Sequence, residues 1–252
     1  MISESTKDFY NKISMKYDWL IYSWERSMRK YVDILDPIMK EFNVTTILDC
    51  ACGTGLQSIG LIKAGYNVTS SDFSIEMLNS AKIKALNYGV ELDIIETDFR
   101  EIHKNIPQTY DAIICLGNSF ANLLTDDDIN KALRSVYSSL NPKGIFIIDI
   151  LDFENLYKNK VRFSYNGINI DRGDELVSII FVYDYLEKTI LFNIIYLIQE
   201  KISGHTRMET ESVEYNPINE QKLLESLERS GFKCIKKLSD PNTKIYVTQK
   251  DV

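Results

Sequence analysis

From Thr46 to Ile148 short apolar runs alternate with segments whose apolar residues recur at helical spacing, the order that a parallel sheet with crossover helices requires. Thr46-Ile47-Leu48 opens the series as a strand, and Leu56, Ile59 and Ile62 then mark one helix face that closes at Gly65. Tyr66 to Ser70 reads as the second strand. Ser74 caps a helix carrying Leu78, Ala81 and Ala85, and Gly89 follows its end. Leu92 to Ile95 and Tyr110 to Leu116 are the third and fourth strands. A helix from near Asp126, with Ile129, Leu133, Val136 and Leu140 on one side, leads through Asn141-Pro142-Lys143-Gly144 to a fifth strand, Ile145 to Ile148.

Beyond Asp149 the period changes. Glu175 to Tyr185 and Thr189 to Glu200 are long β-prone runs joined by a short polar turn, an antiparallel hairpin pattern, and Thr206 to Tyr215 offers a third strand. Asn216-Pro217 has the form of a helix start, followed by Leu223, Leu224 and Leu227 and closed at Gly231. Phe232 to Leu238 and Lys244 to Gln249 then read as a strand pair around Asp240-Pro241. The expected fold is α/β: a doubly wound, Rossmann-like, mostly parallel seven-stranded sheet with an inserted antiparallel β-sheet. Three regions follow from this: 1–150 as N-terminal cap and nucleotide-binding core, 151–215 as the insert over the substrate, and 216–252 completing the core.

The candidate chemistry begins where the first strand ends. Asp49-Cys50-Ala51-Cys52-Gly53-Thr54-Gly55 is a glycine loop with an acid at its entrance, and its glycines let the backbone turn sharply and approach a ligand closely. A dinucleotide loop would place a third small residue three positions after the second glycine, where Ser58 leaves the fingerprint incomplete, and would not set a carboxylate beside phosphates. Asp49 suits a cationic ligand instead. S-adenosylmethionine (SAM) carries a sulfonium and an ammonium and no phosphate. Asp72, at the end of the second strand, stands where this plan holds a ribose diol. Asp98 and Phe99, after the third, suit an adenine amino group and ring stacking.

Composition narrows the class. The 252 residues are 44% apolar and 26% charged with a net charge of −7, enough apolar content for a full core and the wrong sign for clustered phosphate contacts with nucleic acid. No apolar run reaches the roughly 20 residues of a membrane span, and Met1-Ile2-Ser3-Glu4-Ser5 lacks the regions of a signal peptide, so a cytoplasmic location is expected. Cys50, Cys52, Cys115 and Cys234 read as reduced packing residues. With only His103 and His205 beside them, no metal site is expected.

The whole arrangement resembles the class I SAM-dependent methyltransferases, with Leu48 to Gly55 and Val68 to Asp72 matching their first two cofactor motifs. Within that class, Cys115-Leu116-Gly117-Asn118-Ser119-Phe120-Ala121-Asn122-Leu123 together with Ala51 to Gly55 resembles the glycine and sarcosine N-methyltransferases, over about residues 10 to 153. The resemblance implies that Tyr17, Trp24 and Arg26 close over the cofactor, with Arg26, or its rival Arg29, pairing its carboxylate. It further implies Phe73 and Met77 around ribose and adenine, Leu116 along the methionine portion, Ala51, Gly53 and Gly55 in the loop, and Asn118 facing the acceptor. Asn122, Arg207 and Tyr215 are the further substrate-side candidates, with Tyr215 as a proton acceptor. In glycine N-methyltransferase an arginine just past the fifth strand holds the substrate carboxylate, and here that position is Leu151. The implied reaction is in-line methyl transfer from SAM to a small-molecule amine, leaving S-adenosylhomocysteine. O-methylation, a nicotinamide oxidoreductase, a non-catalytic SAM-binding protein and assembly as a homo-oligomer stay open.

Overall fold

The computed structural model describes residues 4–21, 23–240 and 243–251. The chain runs α1 (Glu4–Ile13), a 3-10 turn (Tyr17–Leu20), α2 (Trp24–Glu41), β1 (Thr46–Asp49), α3 (Leu56–Lys63), β2 (Asn67–Asp72), α4 (Ile75–Asn87), β3 (Asp93–Glu96), α5 (Ile102–Asn105), β4 (Tyr110–Cys115) and a second 3-10 turn (Ser119–Asn122). It continues as α6 (Asp126–Ser138), β5 (Leu140–Leu151), α7 (Phe153–Asn159), β6 (Phe163–Arg172), β7 (Glu175–Tyr185), β8 (Ile190–Glu200), β9 (Thr206–Tyr215), α8 (Glu220–Arg229), β10 (Phe232–Asp240) and β11 (Thr243–Lys250).

Two sheets result. One has seven strands in the order β10-β11-β5-β4-β1-β2-β3, parallel except for β11, which runs antiparallel to both β5 and β10. The other is a four-stranded antiparallel meander, β6-β7-β8-β9. In the large sheet the central strands are covered on both faces, which is why they read as continuous apolar runs. Ile47 packs with Leu35, Ile38 and Met39 of α2 on one face. Leu48 packs with Leu133 of α6 and Leu223 of α8 on the other. The inner face of the small sheet forms a third core with Phe9 and Ile13 of α1. The N-terminal segment therefore lies between the two sheets.

Three departures from the sequence expectation have local causes. β6 is a strand ahead of the Glu175 hairpin where the sequence pattern marks none, and its ladder to β7 is irregular, with register shifts after Tyr165 and Gly167. α8 is capped by Asn219, whose side chain accepts from the Lys222 amide at 2.8 Å. Asn216 instead ties the end of β9 to the second 3-10 turn, its amide nitrogens donating to the carbonyls of Ala121 and Leu123, both at 2.8 Å. β5 starts at Leu140, so the Asn141 to Gly144 segment lies within it. Pro241 falls outside the described residues. Among the described residues no helix is long and apolar enough to cross a membrane.

Candidate active site

The carboxyl ends of β1, β2 and β4 open onto a cavity of about 310 Å³, with α1, the first 3-10 turn and α2 closing its other side. The loop after β1 forms the floor. Gly53 (φ 53°) and Gly55 (φ 87°) both take left-handed backbone, and a Cβ on Gly55 would lie 3.3 Å from the Ala81 Cβ. Gly55 thus lets α3 start close against α4, while Ala51, Cys52, Gly53 and Thr54 line the cavity.

Asp72 is the hub of the floor. One carboxylate oxygen accepts from the Gly53 amide and the other from the Ser74 amide, each at 2.9 Å, and the residue is 6% exposed, at the cavity wall. Burial raises its pKa to about 6, against the lowering effect of those amide bonds. Each oxygen keeps a lone pair for a ligand donor. Phe73, Met77 and Phe99 add an apolar wall beside it, and Leu116, Gly117 and Ser119 continue the wall beyond β4.

The N-terminal segment is pinned over this floor by three contacts. Thr54 donates its hydroxyl to Asp18 at 2.8 Å, Asp18 pairs with Lys84 at 2.5 Å, and Ser74 donates to the Asn11 side chain at 2.6 Å. This brings Tyr10, Tyr17, Leu20, Ile21, Ser27 and Tyr31 into the lining. Asn122 donates to the Tyr10 hydroxyl at 3.1 Å and to the Ser119 carbonyl at 3.0 Å, while its Oδ1 is buried without a partner. Tyr10 also shares a hydrogen bond with Tyr215, which sits behind it and stacks on Phe192 at 5.3 Å. Burial pushes the Tyr215 hydroxyl far above the ordinary tyrosine pKa, and the neighbouring Tyr10 and Tyr17 push it further. It is therefore a poor proton acceptor near neutral pH.

The candidates from sequence divide by position. Tyr17, Ala51, Gly53, Asp72, Phe73, Met77, Phe99, Leu116 and Asn122 line the cavity. Asp49 does not: it is 1% exposed beneath the loop, where Ser58 donates to it at 2.7 Å, and burial raises its pKa to about 7. The acid at the loop entrance holds the turn from below. Gly55 likewise serves helix packing. Asp98 has both oxygens engaged by Arg100, with Nη2 at 2.5 Å and Nε at 3.0 Å, and Arg100 also reaches Asp128 at 2.5 Å. That leaves the carboxylate committed to a buried cation rather than turned to adenine.

Trp24 stacks on Tyr88 at 5.6 Å with Lys84 over its ring, in the core between α2 and α3. Arg26 and Arg29 are exposed on α2, and the cavity-facing positions of that helix are Ser27 and Tyr31. Asn118, in left-handed backbone (φ 62°), turns toward β5: its amide donates to Asp149 at 2.8 Å and its side-chain oxygen accepts from the Leu151 amide at 3.0 Å. It shapes the turn below the acceptor side instead of lining it. Arg207 pairs with Glu175 at 2.7 Å and Glu209 at 3.2 Å on the small sheet, away from the lining. Tyr22 lies outside the described residues. Tyr10, Ser27, Tyr31 and Gln57 also line the cavity, and no motif in the sequence marks them.

Comparison with known proteins places this geometry. Residues 47–144 match the methyltransferase domain model. The glycine/sarcosine N-methyltransferase of Halorhodospira halochloris is 37% identical over 151 residues, 60% of this chain and 56% of that protein. The chain thus spans about half the length of the curated relatives it matches. Among solved structures, an S-adenosylmethionine-dependent methyltransferase from Clostridium acetobutylicum ATCC 824 superposes with a TM-score of 0.76 at 21% identity, covering 96% of this chain and 99% of that one. The SAM-bound amino pentose methyltransferase CalS10 from Micromonospora echinaspora gives 0.76 at 16% identity, covering 94% and 95%. The fold is that of these methyltransferases.

Proposed function

We propose that this chain, which carries a methyltransferase domain over residues 47–144, transfers a methyl group from SAM to the nitrogen of a small-molecule amine, leaving S-adenosylhomocysteine. The observation that carries the reading is Asp72: a buried carboxylate at the cavity wall, fixed by two backbone amides and still able to accept from a ribose diol. Phe73, Met77 and Phe99 would hold the adenosine, and Ala51 to Thr54 with Tyr17 and Leu116 the methionine portion. When bound, SAM supplies a methyl group already activated by its sulfonium. The chain's own task is orientation and exclusion of water, which can be worth about 7 to 11 kcal/mol.

The lining also bears on the acceptor. No Lys, Arg or His stands among the described residues around the cavity, and Asp72 is charged above about pH 6. SAM, with two cationic groups and one carboxylate, is net positive and suits that field. An amine must lose its proton before it attacks, so an amino-acid acceptor would enter the reaction as an uncompensated anion, which is costly in a buried site. An amine without a carboxylate would be neutral there. This fits Leu151, half-buried at the end of β5, where the glycine enzymes carry an arginine. Tyr10 and Asn122, joined at 3.1 Å, are the polar groups placed to orient such an acceptor. We place the reaction in the cytoplasm, in keeping with four free cysteines.

The test is a thermal melt with S-adenosylhomocysteine at micromolar concentration, followed by incubation with labelled SAM and a metabolite extract. A raised melting temperature and a methylated amine lacking a carboxylate are expected. No shift with the nucleoside would overturn the cofactor assignment; a methylated amino acid would overturn the acceptor class alone.

A further inference from the structure

The end of the cavity away from the adenine wall is polar, yet none of its described residues is a cation. In the strand order β4-β1-β2-β3, Phe99 follows β3 and Leu116 follows β4, so they stand on opposite sides of Asp72 at the end of β2. A nucleoside whose ribose meets Asp72 and whose base lies along Phe99 therefore runs its remaining substituent toward the β1 and β4 side. There the lining comes from Ser27 and Tyr31 of α2 and from Gln57 in the first turn of α3. Tyr31 packs in the same core cluster as Leu116, which sets α2 over that end. Ser27 and Gln57 are half-buried, and neither side chain has a hydrogen-bond partner among the described residues.

Resting on the reading of SAM as methyl donor, we infer that Ser27 and Gln57 receive the aminocarboxylate end of the cofactor, as neutral donors to its carboxylate where an arginine would otherwise stand. A buried carboxylate needs both charge compensation and hydrogen bonds, and the ammonium on the same carbon supplies the first. Donors are what remains to be provided. Gln57 offers two N–H donors beside a carbonyl acceptor, a set that serves carboxylate and ammonium alike, and Ser27 adds a hydroxyl. The start of α3 favours the same arrangement, because its N-cap is Gly55, which has no side chain to engage the first-turn amides. Helix phase excludes the nearby cations: Arg26 and Arg29 lie about 100° and 200° around α2 from Ser27, and both are exposed.

Calorimetric titration with S-adenosylhomocysteine and with methylthioadenosine, which keeps the nucleoside and thioether but lacks the aminocarboxylate, tests the inference at the binding step. The wild type is expected to bind S-adenosylhomocysteine at least about tenfold more tightly than the truncated nucleoside. Gln57→Leu should weaken S-adenosylhomocysteine about tenfold and Ser27→Ala about threefold, with the truncated nucleoside held within about twofold by both variants. Ser27→Arg brings a guanidinium into the lining and should tighten S-adenosylhomocysteine about fivefold, with no gain for the truncated nucleoside. Equal affinity of the wild type for the two nucleosides overturns the inference and leaves the cofactor assignment standing, as does a Gln57→Leu variant that weakens both alike or neither. Failure of the wild type to bind either nucleoside overturns the cofactor assignment itself, and the inference with it.

Discussion

Replacing Asp72 by asparagine isolates the group on which the cofactor assignment rests. The carboxylate is nearly fully buried at the cavity wall, and its two oxygens accept from the Gly53 and Ser74 amides at 2.9 Å. Asparagine keeps one acceptor oxygen and turns a donor toward either the Gly53 or the Ser74 amide, so the loop loses a bond in the free protein and the ligand loses an acceptor. A hydrogen bond to a charged group contributes about 1.5 to 3 kcal/mol, so affinity for S-adenosylhomocysteine should fall roughly 10- to 150-fold. Calorimetric titration at pH 8 measures this directly. A second readout separates the charge from the shape. Because the wild-type carboxyl titrates at about 6 and must be ionised to accept from both ribose hydroxyls, its affinity should weaken as pH falls through 6. The variant has no such proton to bind and should lose that slope. A change in affinity below threefold, or an Asp72→Asn titration with the full wild-type pH slope, would refute the reasoning.

Two further outcomes are expected. Burial raises the carboxyls of Asp49, Asp72 and Asp149 to about 7, 6 and 6. The folded chain therefore holds these protons more tightly than the unfolded one, so their contribution to stability is fully present below about pH 3.8 and is lost as pH rises through 6 to 7, at about 1.4 kcal/mol per unit of displacement. Thermal melts of the ligand-free protein should show the melting temperature falling from pH 5 to pH 8; a flat or rising profile would contradict it. Arg26→Ala removes an exposed side chain outside the cavity and should change the affinity for S-adenosylhomocysteine less than threefold, whereas a tenfold loss would mean that α2 rotates toward the ligand on binding.

The contrast between Arg26 and Ser27 shows why the sequence reached some parts of the site and missed others. The glycine loop, the acid after β2 and the strand order are written in short-range patterns: a period of two or of 3.6, a turn residue, a spacing along one βαβ unit. The N-terminal segment enters the site through a helix, where one residue of phase is about 100° of rotation and decides between cavity and solvent. That phase is set by the cap at Ser23, whose side chain accepts from the Arg26 amide at 3.4 Å, and by packing deep against α3, where Gly60 leaves room for Met28 and Val32. No local pattern encodes the latter contact.

Partners hidden inside the fold account for the remaining differences. The sequence presents Asp49 by the charge it would show a ligand, but Ser58, nine positions on, donates a hydrogen bond to that carboxyl below the loop. Ser58 is out of place in a dinucleotide loop; here it has a positive role, as a donor to a buried acid. Asp98 follows the same logic with Arg100, two residues away in Asp98-Phe99-Arg100, where the side chains on either side of Phe99 pair and leave the phenyl ring to the cavity. A carboxylate at the carboxyl end of a parallel strand is thus open to a ligand where no side chain of the chain takes it up. Among Asp49, Asp72 and Asp98, only Asp72 combines a place in the lining with partners that are backbone amides, and amides leave its charge uncompensated. On the proposed reading, specificity for a cationic nucleoside would rest on that one residue and on the lining around it, in which no Lys, Arg or His stands among the described residues.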